Sequence, residues 1–294
     1  MISRRQFSKA LSAVTIGGYL AGRVATARAE NAPNAGLIAE FKRLEKASGG
    51  RLGVAMVDTG SAKRIDYRGD ERFPMCSTFK ALLAGAVLHR VDAGKEQLTR
   101  RVRVSKSDII AHSPVTETRI GGDISLAELC EATVTLSDNA AANLLLVDIG
   151  GPEGFTRFVR SLGDPVTRLD RTEPALNEAR PGDPRDTTTP KAMISNLQKL
   201  VLGTALSSAS REQLARWLID NKTGDTRIRA GLPSGWRVGD KTGLGERGTS
   251  NDIAVAWPPD RAPIILAVYL TGATVSAAQQ NATIAAVAKA IATF

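Results

Sequence analysis

The chain has 294 residues, 43% of them hydrophobic, which is enough apolar material for one large domain or two smaller ones around a substantial core. This composition excludes a disordered or fibrous protein. The formal charge of +9 does not indicate a nucleic-acid partner, because five basic residues lie in the first 29 positions, where no acidic residue occurs, and the few aromatic residues are not interleaved with basic clusters.

The N-terminal segment has the pattern of an export signal. Arg4 and Arg5 precede a mostly apolar run at 10–22 and the small-residue pattern Ala27-Arg28-Ala29, as in twin-arginine signals. An amphipathic surface helix or a membrane anchor is the alternative, but the run is shorter than the roughly 20 residues that span a bilayer. We therefore predict a signal at 1–29, cleaved near Ala29, and a periplasmic or secreted mature protein without stable membrane association.

The hydrophobic pattern predicts the order of the elements in the rest of the chain. Apolar residues at helical spacing predict a helix at 35–47, and a short apolar run predicts a strand at 52–57. Further helices are predicted at 79–91, 126–133, 140–149, 152–162, 190–202 and 211–221. Strands follow at 236–241, 252–257 and 264–270, before a terminal helix at 275–292. This order indicates a sheet assembled from both ends of the chain and packed against a helical body from the middle.

One segment, 167–186, has neither helical nor strand periodicity and contains three prolines and many charged residues. A structureless loop of this length within a compact domain is usually functional or disordered. Its charged residues Arg171, Glu173 and Asp186 are therefore candidate site residues.

Ser77 and Lys80 place a hydroxyl and an amine three residues apart where a helix is predicted to begin. Such residues share one face of a helix, so Lys80 can reach the Ser77 oxygen. A serine hydroxyl is a weak nucleophile unless a nearby group takes its proton, and a lysine with a depressed pKa can do so. Alone, this spacing also fits an ordinary amphipathic helix.

Two further motifs occur in a fixed order after Ser77. Ser137-Asp138-Asn139 precedes a predicted helix, and Lys241-Thr242-Gly243 ends a predicted strand. Each alone fits a helix cap or a strand end, but together with Ser-x-x-Lys they resemble the penicillin-recognising serine enzymes. The segment from Arg171 to Asn177, with Glu173, lies where class A β-lactamases carry their deacylating glutamate, so the closest resemblance is to that class.

The resemblance implies a β-lactamase/transpeptidase-like α/β (α+β) fold, with an antiparallel five-stranded sheet built from both chain ends and flanked by helices. The catalytic domain would span 30–294, with an α/β part at about 30–75 and 222–294 and an all-helical part at about 76–221. It would hydrolyse β-lactam antibiotics as a monomer, without metal or organic cofactor, and so confer antibiotic resistance. The implied catalytic residues are Ser77, Lys80, Ser137 and Glu173. Arg171 and Asp186 would form the ion pair that anchors the loop, and Glu173-Pro174 is a candidate cis peptide.

The resemblance also implies which residues bind the substrate: Asn139, Asn177, Lys241, Thr242, Gly243, Leu244, Arg227 and His112. The backbone N–H groups of Ser77 and Leu244 would form the oxyanion hole. His112 stands where an aromatic residue is usual, and Leu244 where a small or hydroxyl side chain is more frequent, so both could alter the substrate range. Cys76 is expected to be a buried free thiol, although the sequence leaves open whether it pairs with Cys130.

Other functional classes fit the sequence less well. The G-x-G-x-x-G pattern from Gly243 to Gly248 is followed by a predicted strand, not by the helix that a dinucleotide site needs, so we interpret it as a hairpin. A Ser-His-Asp triad is disfavoured because the chain has two histidines, His89 and His112, and no G-x-S-x-G elbow, and metal ligands at usable spacing are missing. A D-alanyl-D-alanine peptidase shares three motifs but lacks the glutamate loop, and a β-lactam sensor would stay acylated.

Overall fold

The computed structural model describes residues 34–293. The predicted signal lies outside this range. The strands are β1 (Arg51–Asp58), β2 (Arg64–Tyr67), β3 (Phe73–Pro74), β4 (Arg101–Arg103), β5 (Asp123–Ser125), β6 (Thr187–Thr188), β7 (Arg237–Gly245), β8 (Thr249–Trp257) and β9 (Ile264–Thr271). The α-helices are α1 (34–48), α2 (Phe79–Asp92), α3 (Leu126–Thr135), α4 (Asn139–Ile149), α5 (Gly151–Ser161), α6 (Pro190–Val201), α7 (Ser208–Ile219), α8 (Ile228–Gly231) and α9 (Ala277–Ala292).

The central element is a five-stranded antiparallel sheet with the strand order β2-β1-β9-β8-β7. Strand β1, near the beginning of the described chain, pairs along its whole length with β9, from Arg51 opposite Thr271 to Asp58 opposite Ile264. The prediction of a five-stranded sheet built from both ends of the chain is confirmed.

Both faces of this sheet are covered. In β9, Ile265, Ala267 and Tyr269 face the core shared with the helices from the middle of the chain, whereas Leu266 and Val268 face a second core that includes residues of α1 and α9. Strands buried on both faces have continuous apolar runs and not an alternating pattern. This explains why β1 and β9 were recognisable from short apolar runs alone.

All eight predicted helices occur within three residues of their expected bounds, whereas the short helix α8 was not predicted. The helical segments from α2 to α7 form the body against one face of the sheet. The prediction that Lys241-Thr242-Gly243 ends a strand is wrong. β7 continues to Gly245, where it pairs with Thr249 of β8. The glycines of the G-x-G-x-x-G pattern accordingly lie at the end of a β-hairpin.

The segment 167–186 has a short 3₁₀ turn, Ala175–Asn177, and is otherwise irregular. No helix within residues 34–293 has the length and apolar character needed to cross a membrane.

Candidate active site

Ser77 stands at the entry of helix α2. It lies in the 3₁₀ turn Cys76–Thr78, which leads directly into α2. The buried thiols of Cys76 and Cys130 are both free, and burial raises the pKa of the Cys76 thiol, which keeps it protonated. A Cβ atom at Gly245 would lie 2.6 Å from Cys76 Sγ. The absence of a side chain at Gly245 thus lets β7 pass close to the turn that carries Ser77.

The ammonium group of Lys80 is fully buried. Its Nζ donates hydrogen bonds to Ser137 O (2.8 Å) and Asn139 Oδ1 (2.6 Å) and lies 3.0 Å from Glu173 Oε1. Burial lowers the pKa of Lys80, while the charge of Glu173 acts to raise it. Ser77 Oγ donates to the same Glu173 oxygen at 3.1 Å. One carboxylate oxygen therefore links the hydroxyl and the amine.

Two asparagines hold Glu173 in place. Asn143 of α4 accepts from Glu173 N (3.0 Å) and donates to Glu173 O (2.9 Å), and Asn177 Nδ2 donates to Glu173 Oε2 (2.5 Å). The peptide bond between Glu173 and Pro174 is cis. The carboxylate is thereby directed at Ser77 and shielded from solvent.

An ion pair closes the loop that carries Glu173. Arg171 Nε lies 2.6 Å from Asp186 Oδ2, and Asp186 Oδ1 accepts from the backbone N–H groups of Asp170 (2.7 Å) and Arg171 (2.9 Å). The carbonyl of Asp186 in turn accepts from Met75 N at 2.9 Å. The loop is thus fastened to the chain just before Ser77.

Ser137 lies between the two buried lysines. Lys241 Nζ donates to Ser137 Oγ at 3.0 Å, and Lys80 Nζ lies 3.4 Å from the same oxygen. Burial, reinforced by the charge of Lys80, lowers the pKa of Lys241 to about 7. The three side chains form a continuous path along which a proton can move.

The N-terminus of α4 presents Ser137 and Asn139 to this path. Asp138 caps the helix by accepting from Ala141 N at 2.9 Å, and it also accepts from Val115 N, Thr116 N and Thr116 Oγ1, each at 2.9 Å. The carboxylate of Asp138 therefore joins the 113–116 segment to the helix and fixes the residues on either side of it.

Strand β7 provides one wall of the site. Thr242 Oγ1 lies 2.5 Å from Thr223 Oγ1, and a Cβ atom at Gly243 would come within 2.8 Å of Met75 O. Leu244 is 60% exposed. The strand thus has polar side chains at Lys241 and Thr242, followed by an exposed apolar side chain.

Arg227 lies behind this strand. Its Nη1 donates to Gly243 O (2.9 Å) and Asn251 O (2.6 Å), and its Nε donates to Asn281 Oδ1 (2.9 Å). Burial lowers the pKa of Arg227. Arg227 therefore holds the backbones of β7 and β8 together. Its positive charge lies next to Gly243.

Two buried carboxyl groups lie near Arg227. Asp240 accepts from Asn221 (2.7 Å) and Arg229 (2.5 Å), and Asp252 accepts from Ile228 N (3.0 Å). Burial raises the pKa of both carboxyl groups. The Asp240 carboxyl group lies close enough to Lys241, and that of Asp252 close enough to Arg227, for their charges to interact.

His112 and Asn177 lie at the edges of the site. His112 has a left-handed backbone (φ +62°), its Nε2 lies 3.0 Å from Leu136 O, and its carbonyl accepts from Asn139 N at 2.9 Å. The carbonyl of Asn177 accepts from Glu246 N at 2.9 Å, which joins the Glu173 loop to the β7–β8 hairpin.

Sequence reasoning missed Asn143, Asp240 and Asp252. Asn143 carried a usable signal, because it lies four residues after Asn139 on the same helix and interrupts an otherwise apolar run of alanines and leucines. Asp240 and Asp252 lie within strands whose burial was not apparent from the local pattern.

Comparisons with known proteins agree with this geometry. The sequence model described as "Beta-lactamase enzyme family" matches residues 36–294. Beta-lactamase Toho-1 of Escherichia coli is 51% identical over 252 residues, covering 86% of this chain and 87% of the relative, and Beta-lactamase L2 of Stenotrophomonas maltophilia is 49% identical over 296 residues, covering 98% of each. The solved structure of an ancestral (GNCA) class A β-lactamase, 64% identical, superposes with a TM-score of 0.86 and covers 87% of this chain and 98% of its own.

Proposed function

Because this chain belongs to the class A β-lactamase family and hydrolyses β-lactams, we propose that hydrolysis proceeds through an acyl-enzyme on Ser77 that Glu173 helps to release. One observation carries this proposal: Glu173 Oε1 contacts both Ser77 Oγ at 3.1 Å and Lys80 Nζ at 3.0 Å. By opening β-lactam antibiotics, the protein confers resistance to them.

In the acylation step, Ser77 Oγ attacks the lactam carbonyl carbon while Glu173 accepts its proton. The backbone N–H groups of Ser77 and Leu244 stabilise the developing oxyanion. The lactam C–N bond then breaks, and Ser137 gives its proton to the departing nitrogen. Ser137 recovers a proton from Lys80, and Lys80 recovers one from protonated Glu173, so the site ends the step in its initial protonation state.

In the deacylation step, Glu173 removes a proton from a water molecule, which attacks the acyl carbon. The ester bond to Ser77 breaks, and the proton returns to Ser77 Oγ. Asn177 assists by directing the second Glu173 oxygen, Oε2, through the hydrogen bond at 2.5 Å.

Recognition of the substrate uses the wall formed by β7 and the N-terminus of α4. Lys241 and Thr242 bind the substrate carboxylate, and the charge of Arg227 adds to the attraction. Asn139 donates to the side-chain amide of the substrate. Gly243 contributes backbone to this wall, since a Cβ atom there would lie 2.8 Å from Met75 O, and the remaining contacts at the rim come from His112 and Leu244.

The cellular context is part of the same proposal. The twin-arginine pattern at 1–29 supports export, with a monomeric mature protein at 30–294 that acts in the periplasm or after secretion. Its α/β part would comprise 30–75 and 222–294, and its helical part 76–221. Export before substrate encounter would place the enzyme where it intercepts β-lactams.

The test is to follow hydrolysis of a chromogenic cephalosporin by residues 30–294 and by the Ser77→Ala and Glu173→Ala variants, recording intact mass during turnover. We expect Ser77→Ala to be inert and without adduct. Glu173→Ala should lose roughly 10²–10⁴-fold in turnover and accumulate an adduct of one substrate mass.

The alternatives predict different masses. A native protein that accumulates a long-lived adduct without turnover would be a sensor or a D-alanyl-D-alanine peptidase acylated by the drug, and not the hydrolase proposed. Adduct formation by Ser77→Ala would refute the assignment of the nucleophile.

A further inference from the structure

A cavity away from the catalytic residues is lined in part by the loop that carries Glu173. Its volume is about 410 Å³, within the range of about 300–1,000 Å³ typical of small-molecule sites. It opens between the segments 49–51 and 72–74, at the start of β1 and around β3, and the loop segment 179–184. None of the residues that form the catalytic contacts described above lines it.

The charged side chains that line this cavity are mostly positive: Arg51, Arg72, Arg180 and Arg247, against the single carboxylate of Asp183. Asp183 is already engaged by Arg185, with Nη2 at 2.6 Å. Three of these arginines pair with carboxylates that do not line the cavity: Arg51 with Glu71, Arg180 with Glu178 and Arg247 with Glu246. Guanidinium groups form paired hydrogen bonds with carboxylates, so the lining still offers several donors to an anionic ligand.

Arg72 provides the strongest anchor on the sheet side. Its Nη1 donates to Val166 O (2.9 Å) and Thr187 Oγ1 (3.0 Å), and both acceptors are neutral. Within residues 34–293, Arg72 has no carboxylate partner. A positive charge that borders a cavity without a counter-ion favours the binding of an anion there.

Arg180 and Arg247 provide the anchors on the loop side. Both interact with Glu178: Arg180 with its carboxylate, and Arg247 with its carbonyl at 3.0 Å. Arg247 also pairs with the carboxylate of Glu246 at 2.8 Å. Arg180 is 61% exposed along its side chain and Arg247 is 42% exposed. Because exposed ion pairs contribute little free energy, both guanidinium groups can exchange their present partners for a ligand. Between these anchors and Arg72 the walls include the uncharged residues Pro74, Pro181 and Gly182.

We propose that this cavity is a second, non-catalytic binding site for an organic dicarboxylate with a flat apolar body. One carboxylate pairs with Arg72 on the sheet side, the other pairs with Arg180 and Arg247 on the loop side, and the apolar body lies against the proline and glycine walls. The charge of the lining selects the anionic groups, and its volume selects a molecule larger than an inorganic anion.

A ligand bound in the cavity would also affect the 167–186 loop, which carries Glu173. Glu178 contacts both Arg180 and Arg247. It directly follows Asn177, whose amide group donates to Glu173 Oε2. A dicarboxylate that draws Arg180 and Arg247 away from Glu178 loosens the segment that positions Asn177.

The experiment is isothermal titration of the protein with naphthalene-2,6-dicarboxylate, with the dimethyl ester as the uncharged control. We expect saturable binding of the dicarboxylate and none of the ester. Arg72→Met and Arg180→Met should each weaken binding about tenfold or more, because each removes a charge-assisted contact. Lys241→Ala, which alters the catalytic site, should leave binding unchanged.

Folding of each variant is checked by circular dichroism, and if Arg72→Met does not fold, the exposed Arg180→Met variant decides. The proposal is overturned if the native protein shows no saturable binding at millimolar ligand, or if both arginine variants bind as the native protein does. It is also overturned if binding is lost in Lys241→Ala, because the ligand then occupies the catalytic site. The titration measures only binding of the dicarboxylate. A negative result would therefore overturn this proposal and leave the acyl-enzyme mechanism unaffected.

Discussion

At the scale of single residues, the site depends on charges that are buried together. Lys80, Lys241 and Glu173 lie out of contact with bulk water, and their hydrogen bonds converge on the hydroxyls of Ser77 and Ser137. A buried charge is tolerated only where partners compensate its lost hydration. Burial lowers the pKa of both lysines, and the charge of Lys80 contributes to lowering that of Lys241 to about 7.

Lys241 gives a pH dependence of known sign. Its pKa, lowered to about 7, means that it is charged below that pH and loses its charge as the pH rises through it. We expect kcat/KM for carboxylate-bearing β-lactams to fall as the pH rises above about 7, because attraction of the substrate carboxylate is lost. The measurement is a kcat/KM profile from pH 5 to 9.

An esterified β-lactam without the carboxylate is the control for this profile. Its alkaline limb should be weaker or absent. An identical limb for the acid and the ester would show that Lys241 does not govern the effect.

Asn143 offers a second test at this scale. Asn143→Leu retains the approximate volume but removes both hydrogen bonds to the backbone of Glu173, so we expect kcat to fall about 10-fold or more as deacylation slows. The measurement is single-turnover kinetics with intact mass. Val147→Leu, at a 76% exposed position of the same helix, should leave both rates unchanged, and an unaffected deacylation rate in Asn143→Leu would contradict the positioning role.

The sequence pointed to candidate residues that the structure brings together, but it did not indicate most of their contacts. Ser77, Lys80 and Glu173 stand in motifs whose order is specific. By contrast, the shared Glu173 oxygen and the support from Asn143 join α2, α4 and the 167–186 loop. Contacts between distant segments depend on tertiary packing, which local patterns do not encode.

At the scale of elements, the ends of helices and strands position the chemistry. Ser77 precedes α2, Ser137 precedes α4, and Lys241 lies within β7. The long helices were predicted well because their apolar periodicity extends over several turns. β3 and β6 are two residues each, too short for a period to be recognised, and the end of β7 was misplaced because its glycines resemble a turn.

The cap of α4 depends on one side chain, that of Asp138. Asp138→Ala removes hydrogen bonds from Ala141, Val115 and Thr116 to a buried carboxylate, and we expect a loss of about 3 kcal/mol or more in the free energy of unfolding. Urea denaturation measures this. Asp138→Asn, which keeps part of the bonding, should lose less, and equal stability of the alanine variant would contradict the cap's role.

At the scale of the whole molecule, one sheet unites two cores. The core toward the helical body and the core toward α1 and α9 share β1, β8 and β9. The sequence indicated that both chain ends contribute to the sheet. It did not predict the strand order β2-β1-β9-β8-β7, because the local pattern of a strand does not show which distant strand it pairs with.

Because the two cores share three strands, a substitution in the core toward α1 and α9 should also affect the catalytic site. Phe41 of α1 is fully buried in the second core, so Phe41→Ala should lower the free energy of unfolding by about 3–5 kcal/mol. We expect β-lactam hydrolysis and circular dichroism to be lost at the same, lower urea concentration. Val147→Ala should shift neither transition, and separate transitions for activity and structure would indicate that the two cores unfold independently.

The pairing of β1 with β9 also has a consequence during biosynthesis. The ribosome synthesises Arg51 long before Thr271, which lies opposite it in the sheet. Strand β1 therefore cannot pair with β9 until nearly the whole polypeptide has been made. Contacts this distant in the chain slow folding and prolong exposure of apolar segments. A nascent chain arrested before residue 264 has Ser77 and Glu173 but lacks the strand that closes the sheet, so we expect active enzyme to emerge only after translation of β9.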